Sequence, residues 1–297
     1  MKPSTLMSTL EARMKAHFDG RLTRSTYIQG SPGLGKTQIP KQVTKALGDN
    51  IGFQIIHAPL MQPEDYGMPV VNVDRTGVTF VVPEEKFPMA GSSMWPEHGT
   101  LVIDELPQAD SSGQKILANL MQEREIHGKK LKPGWHIVAT GNRQSDRAGA
   151  NRILSHLSDR MTSYTLDPNL DDWCSWAQAN NVFHGVVSFL RFKPQLLSDF
   201  DAQREKNATP RAWVEGVSRA IDVVPAEAEF ETFKGDVGEG PAAEFVAYLK
   251  IVRKLPNPDA VLLEPEKAEV PKEPSVLYAI SGAVAYRASE ANFDRVI

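Results

Sequence analysis

The sequence predicts an α/β fold: a mostly parallel sheet with helices on both faces and inserted β-hairpins, followed by a smaller helical domain. Three observations predict it. Short β-prone runs alternate with helical stretches up to about residue 166, apolar spacing turns helical after that, and 297 residues suffice for about two domains. Apolar residues make up 41% and charged residues 24%, which excludes disordered and fibrous architectures. Lys plus Arg number 33 against 37 Asp plus Glu, so no global basic field exists to hold nucleic acid, although local basic patches stay open. The single cysteine, Cys174, excludes an internal disulfide and a cysteine-based zinc site and fits a reducing, cytoplasmic compartment. The first twenty residues lack the apolar run of a signal peptide, and no window reaches the roughly 18 apolar residues of a membrane span, so neither export nor insertion is expected.

Leu6, Leu10, Met14 and Phe18 recur every fourth position and predict an opening helix with one apolar stripe that Gly20 closes. Strands are expected at Ser25–Gln29, Phe53–Ala58, Leu101–Asp104, His136–Thr140 and Ser163–Leu166. Between the second and third lies MPVVNVDRTGVTFVVP, two β-branched runs joined at Asp74-Arg75-Thr76-Gly77, which reads as a hairpin. REIHGKKLKPGWHIV reads as another, with turns at Gly128 and at Pro133-Gly134. Helices follow in LDDWCSWAQA, VVSFLRF and PRAWVEGVSRAI. In the last, Thr209 is the expected N-cap, Pro210 the first helical residue, and Trp213, Val214, Val217, Ala220 and Ile221 the apolar face. Leu255 to Pro274 contains five prolines and reads as an extended strap, before an apolar helix from about Val276 to Arg287. The expected division is 1–166 as an α/β nucleotide-binding core, 167–254 as a helical lid, and 255–297 as strap and last helix.

Gly30-Ser31-Pro32-Gly33-Leu34-Gly35-Lys36-Thr37 fits the phosphate-binding pattern G-x-x-x-x-G-K-[ST]. A strand precedes it and a helical segment through about Leu47 follows. In that setting the glycines let backbone N–H groups face phosphates at a helix N-terminus, Lys36 reaches the β and γ oxygens, and the Thr37 hydroxyl binds Mg²⁺. Sixty-eight positions beyond Lys36, Leu101-Val102-Ile103-Asp104-Glu105 reads as a buried strand delivering two carboxylates. Asp104 is the candidate for the Mg²⁺ shell and Glu105 for orienting or deprotonating the attacking water. A strand inserted between the two motifs, with a glutamate directly after the aspartate, points to a hydrolytic motor type of ATPase; no Asn-Lys-x-Asp guanine-reading motif is present.

With these strings in hand, the sequence resembles the MoxR-like branch of the AAA+ ATPases, within their dynein-related group. The resemblance spans roughly residues 25 to 225 and is carried by GSPGLGKT, PEDYGMP, LVIDELPQAD, LANLMQEREIHG, IVATGN, LSDRM and TPRAW. It implies ATP and Mg²⁺ as cofactors and a homo-oligomeric ring, expected to be a hexamer. It also implies mechanical work on a partner complex and a partner protein with a von Willebrand factor A-type domain. By the same resemblance Asn142 matches the first sensor, Arg160 an arginine finger reaching the neighbouring subunit's γ-phosphate, and Arg211 the second sensor at the start of a lid helix. Arg152 rivals Arg160 for the finger, and an Asp159–Arg160 ion pair is the structural alternative.

Other residues read as structural. Seven histidines show no i, i+4 pair and no metal-ligand spacing with acids. Trp173, Trp176 and Trp213 sit among apolar helical neighbours, as lid core rather than base-stacking platforms. Lys129, Lys130 and Lys132 form either a solvated turn or a contact for an acidic partner. A nucleic-acid motor or loader and a non-hydrolysing nucleotide switch are the alternatives to partner remodelling. The net charge of −4 counts against the first, and the joint presence of Lys36, Asp104, Glu105, Asn142, Arg160 and Arg211 against the second.

Overall fold

The computed structural model describes residues 1–21, 24–72, 77–143, 159–255, 258–288 and 292–296. They form two compact units: Met1–Ser31 with Gly35–Asp167, and Pro32–Leu34 with Pro168–Ile297.

The first unit opens with α1 (Pro3–Phe18), whose Leu6, Leu10 and Met14 are fully buried, as the four-residue spacing requires. It stops where Gly20 takes φ 79° and the amides of Gly20 and Arg21 bond back to His17 and Ala16. Five parallel strands follow: β1 (Ser25–Gln29), β2 (Gly52–His57), β5 (His98–Asp104), β8 (Gly134–Gly141) and β9 (Met161–Thr165), in spatial order β2-β5-β8-β1-β9. All five expected strands are present, and none of their pairings is antiparallel. Leu101, Val102, Ile103, Ile137, Val138 and Ala139 have no exposed surface, so β5 and β8 are covered on both faces, as a parallel sheet demands. Each buried Val, Leu or Ile side chain there contributes about 1.5–3 kcal/mol. Trp135 packs flat against the neighbouring strands: a Cβ on Gly99 would stand 2.5 Å from its ring. Glycine is thus required at Gly99 for close approach, and the indole N–H donates to Pro96 O at 2.9 Å.

Helices α2 (Gln38–Leu47), α3 (Pro63–Tyr66) and α4 (Ser111–Glu123) connect the strands. Asp110 caps α4 by accepting from Gly113 N at 2.5 Å, and Leu117, Leu120 and Met121 turn its apolar face inward. Both hairpins exist. β3 (Met68–Val71) pairs antiparallel with β4 (Val78–Val81), and β6 (Glu125–Ile126) with β7 (Lys129–Lys130). Asn72 and Gly77 flank the first turn, whose Asp74-Arg75-Thr76 lies outside the described residues. His127 (φ 47°) and Gly128 (φ 76°) make the second turn, with both central residues at positive φ. The His127 ring stacks on Phe80 with centroids 4.2 Å apart, joining the two hairpins, and a Cβ on Gly67 would lie 2.7 Å from its Cδ2.

The second unit is helical: α5 (Leu170–Ala179), α6 (His184–Phe192), a π-helix (Ala212–Ser218), α7 (Glu229–Val237), α8 (Glu239–Val252), α9 (Pro258–Leu263) and α10 (Pro274–Tyr286). Trp173, Phe189, Trp213, Phe233 and Phe245 form its core, and Trp176 packs against it. Thr209 caps the lid helix through Ala212 N, as expected, but the winding beyond it is π rather than α. Trp213, Val217 and Ile221 recur every fourth position and all are buried, which suits the wider i→i+5 turn. The strap is not wholly extended: Pro258 starts a short helix, and Leu262 buries itself from it.

Candidate functional site

The carboxyl ends of β1, β5 and β8 bring the predicted residues of the first unit together. Gly30 leaves β1, its amide bonding to Gly141 O on β8 at 3.3 Å. Gly33 and Gly35 take φ of 77° and 84°, where a side chain would be strained, and Thr37 then starts α2. Lys36 Nζ donates to Gly30 O at 2.9 Å, to Ser31 O at 3.0 Å and to Asn142 Oδ1 at 2.9 Å. The lysine thereby curls back over its own loop and meets the candidate first sensor.

Parallel register carries Asp104 to the same end of the sheet. Its Oδ1 accepts from Thr37 Oγ1 at 2.6 Å and from Thr140 Oγ1 at 2.6 Å, while Oδ2 faces His57 Nδ1 at 3.3 Å. Glu105 follows in the left-handed region, at φ 54° and ψ 41°. For a residue other than glycine this costs about 1–3 kcal/mol, so its surroundings must hold it. They do so at both ends of the residue: its amide donates to Thr140 Oγ1 at 3.1 Å, and its carbonyl accepts from Gln108 N at 2.8 Å. The Thr140 hydroxyl therefore links the two acids.

These groups suit ATP and Mg²⁺. The Thr37 hydroxyl and Asp104 carboxylate are hard oxygen donors within 2.6 Å of each other, of the kind magnesium takes. The loop of Gly30, Ser31, Pro32, Gly33, Leu34 and Gly35, with its two positive-φ glycines, lets backbone amides converge on phosphate oxygens.

Two further candidates stand on other elements. Arg160 stands half-buried in the turn before β9, and among the described residues no ion pair joins it to Asp159. Its rival Arg152 lies outside the described residues, as do Leu157 and Ser158 of the LSDRM string. Arg211 is exposed in the second unit, directly before the π-helix. Within that unit a Cβ on Gly33 would stand 2.7 Å from Thr209 Oγ1 and 3.4 Å from Arg211 Cβ.

Sequence reasoning missed His57 and Thr140. The signal for His57 was register: it pairs directly with Asp104 across β2 and β5. Thr140 sat in view in Ala139-Thr140-Gly141-Asn142 as a strand end, without a reason to single it out. The lysine cluster resolves largely into local pairs, Lys130 with Glu125 at 2.7 Å and Lys132 with Glu97 at 2.6 Å.

Among the described residues, no helix is long and apolar enough to cross a membrane. Residues 25–161 match the family described as AAA domain (dynein-related subfamily). No curated protein matches the chain. Among solved structures, one point mutant of Thermotoga maritima RuvB aligns at 13% identity and a TM-score of 0.45, over 95% of this chain and 81% of that one. A second point mutant of the same protein aligns at 13% identity and a TM-score of 0.46, over 99% and 87%. The α/β core that gathers Lys36, Thr37, Asp104 and Asn142 thus has the fold of a P-loop AAA+ core, and the stretch that holds these residues is similar to the dynein-related AAA domain, whose general chemistry is ATP binding and hydrolysis.

Proposed function

We propose that this chain is a MoxR-like ring-forming ATPase, a cytoplasmic hexamer that couples ATP hydrolysis to remodelling, assembly or activation of a partner complex. The observation that carries the enzymatic half is the shared hydroxyl of Thr140, which fixes Asp104 and the strained Glu105 together beside Thr37. Gly30 to Thr37 would hold the nucleotide, and Thr37 with Asp104 the Mg²⁺, which when bound supplies charge neutralisation at the β and γ oxygens. Glu105 orients the attacking water and accepts its proton. Asn142 hydrogen-bonds the water or the γ-phosphate. Arg160 is assigned as the finger supplied to the neighbouring subunit and Arg211 as the second sensor, both on their motifs. The partner with a von Willebrand factor A-type domain, and the branch itself, rest on the resemblance of LANLMQEREIHG and the hairpin that follows it.

The test is ATPase rate per subunit across protein concentration, paired with light-scattering mass with and without ATP and Mg²⁺, for wild type, Glu105→Gln and Arg160→Ala. A rate that climbs with assembly and collapses in both variants while the ring persists is the expected result. A concentration-independent rate from a monomer, indifferent to Arg160, would leave only the P-loop chemistry standing.

A further inference from the structure

Directly after Asn142 stands Arg143, which no motif singles out. Its Nη2 donates to Leu166 O at 2.9 Å and pairs with the Asp167 carboxylate. Leu166 is fully buried, and its amide donates to Gln29 O at 2.7 Å. Gln29 Nε2 in turn donates to Thr165 Oγ1 at 2.9 Å, and Gln29 is the residue before the phosphate loop. Asp167 also takes the Met1 ammonium at 2.7 Å. These bonds tie the start of the phosphate loop, the residue after the candidate sensor, and the end of β9 into one cluster. Asp167 is the last residue of the first unit and Pro168 begins the long segment of the second.

We propose that Arg143 is a positioning residue that couples the Asn142 loop to Leu166–Asp167, where the chain leaves the core. The inference rests on reading Asn142 as the group that senses the γ-phosphate. Consecutive Cα atoms are about 3.8 Å apart across a rigid peptide, so a backbone shift at Asn142 is carried to Arg143. The planar guanidinium holds a carbonyl and a carboxylate in fixed geometry, so it passes that movement to β9 instead of absorbing it. Among the described residues Arg143 Nε is buried without a hydrogen-bond partner, so the contacts that hold this side chain are those its Nη2 makes to Leu166 and Asp167. A lysine keeps the charge but loses the planar group that aims one nitrogen at both Leu166 O and the Asp167 carboxylate.

The experiment is amide hydrogen exchange of residues 161–170 in the full chain, with ADP and with a non-hydrolysable ATP analogue, for wild type, Arg143→Lys, Arg143→Ala and Asn142→Ala. Steady-state kinetics and thermal midpoints are measured alongside. The wild type is expected to exchange about threefold or more differently in the two nucleotide states. Arg143→Lys should keep its thermal midpoint and lose that difference, with kcat down about tenfold and KM within about threefold. If Arg143→Ala unfolds, Arg143→Lys alone decides. A nucleotide-dependent difference that survives in Arg143→Lys overturns the coupling, as does a wild type that shows none. Asn142→Ala separates the two readings. Unchanged kcat there removes the sensor itself, whereas a fall in kcat with intact exchange differences in the Arg143 variants removes only the coupling.

Discussion

Lys36 Nζ donates a 2.9 Å hydrogen bond to Asn142 Oδ1, joining residues 106 positions apart. The cation at the head of the phosphate loop and the amide at the end of β8 are thereby set at one point by sheet order, because β1 lies beside β8.

Asn142→Asp places a carboxylate against that ammonium. It should weaken ATP binding by about tenfold, because the new ion pair competes with phosphate for Lys36. Asn142→Ala should instead lower kcat while leaving ATP affinity within about threefold. Nucleotide titration by calorimetry beside steady-state kinetics separates the two; equal affinities in Asp and Ala variants would remove the competition argument.

Thr140→Val keeps the shape of the side chain and deletes the hydroxyl that Asp104 and the Glu105 amide share. Leaving that amide unmet costs about 1–3 kcal/mol, and the strained turn at Glu105 should relax. Turnover is expected to fall at least about tenfold, and Thr140→Ser should restore most of it. A valine variant with wild-type turnover would show that Glu105 is held by other means.

Acid should destabilise the first unit through two buried histidines. Burial, helped by Arg124, lowers His17 from 6.5 to about 4. Burial, with the charges of His17, Arg13 and Arg124, lowers His136 to about 3. A base whose folded pKa is depressed contributes stability that is complete above 6.5 and is lost as pH falls toward the folded value. Between about pH 7.5 and about pH 5 either ring should therefore cost about 2 kcal/mol. Denaturation midpoints across that range should drop for wild type and drop less for His136→Gln. A flat profile contradicts the burial argument.

In the second unit Arg253 pairs with Glu229, whose side chain is only 5% exposed, at 2.5 Å. Arg253→Met strands that carboxylate and should cost about 3 kcal/mol, whereas Glu229→Gln together with Arg253→Met should recover a good part of it. Thermal unfolding of both variants checks this, and additive losses would contradict it.

Much of this was legible in the residues. Five strands, two hairpins and the α1 stripe follow from periodicity and turn chemistry, which are local. Lys36, Thr37 and Asp104 were legible because glycine spacing and an apolar run ending in acids are local as well. His57, Thr140 and Arg143 were not, since their partners come from strand order and register, which no window of sequence contains. The π winding at Ala212–Ser218 was missed for a different reason: its four-residue apolar recurrence fits an α-helix equally well.

The His127 ring, set between Phe80 and Gly67, means that the two hairpins share one footing. They grow from different roots, one after Tyr66 and the other after Arg124, where α4 ends. That helix begins six residues after Glu105 and, at 13 residues, spans roughly 20 Å as a stiff rod. The ring stack therefore ties the far end of that helix to the hairpin that follows Tyr66. Trimming either hairpin would therefore remove a support from the other.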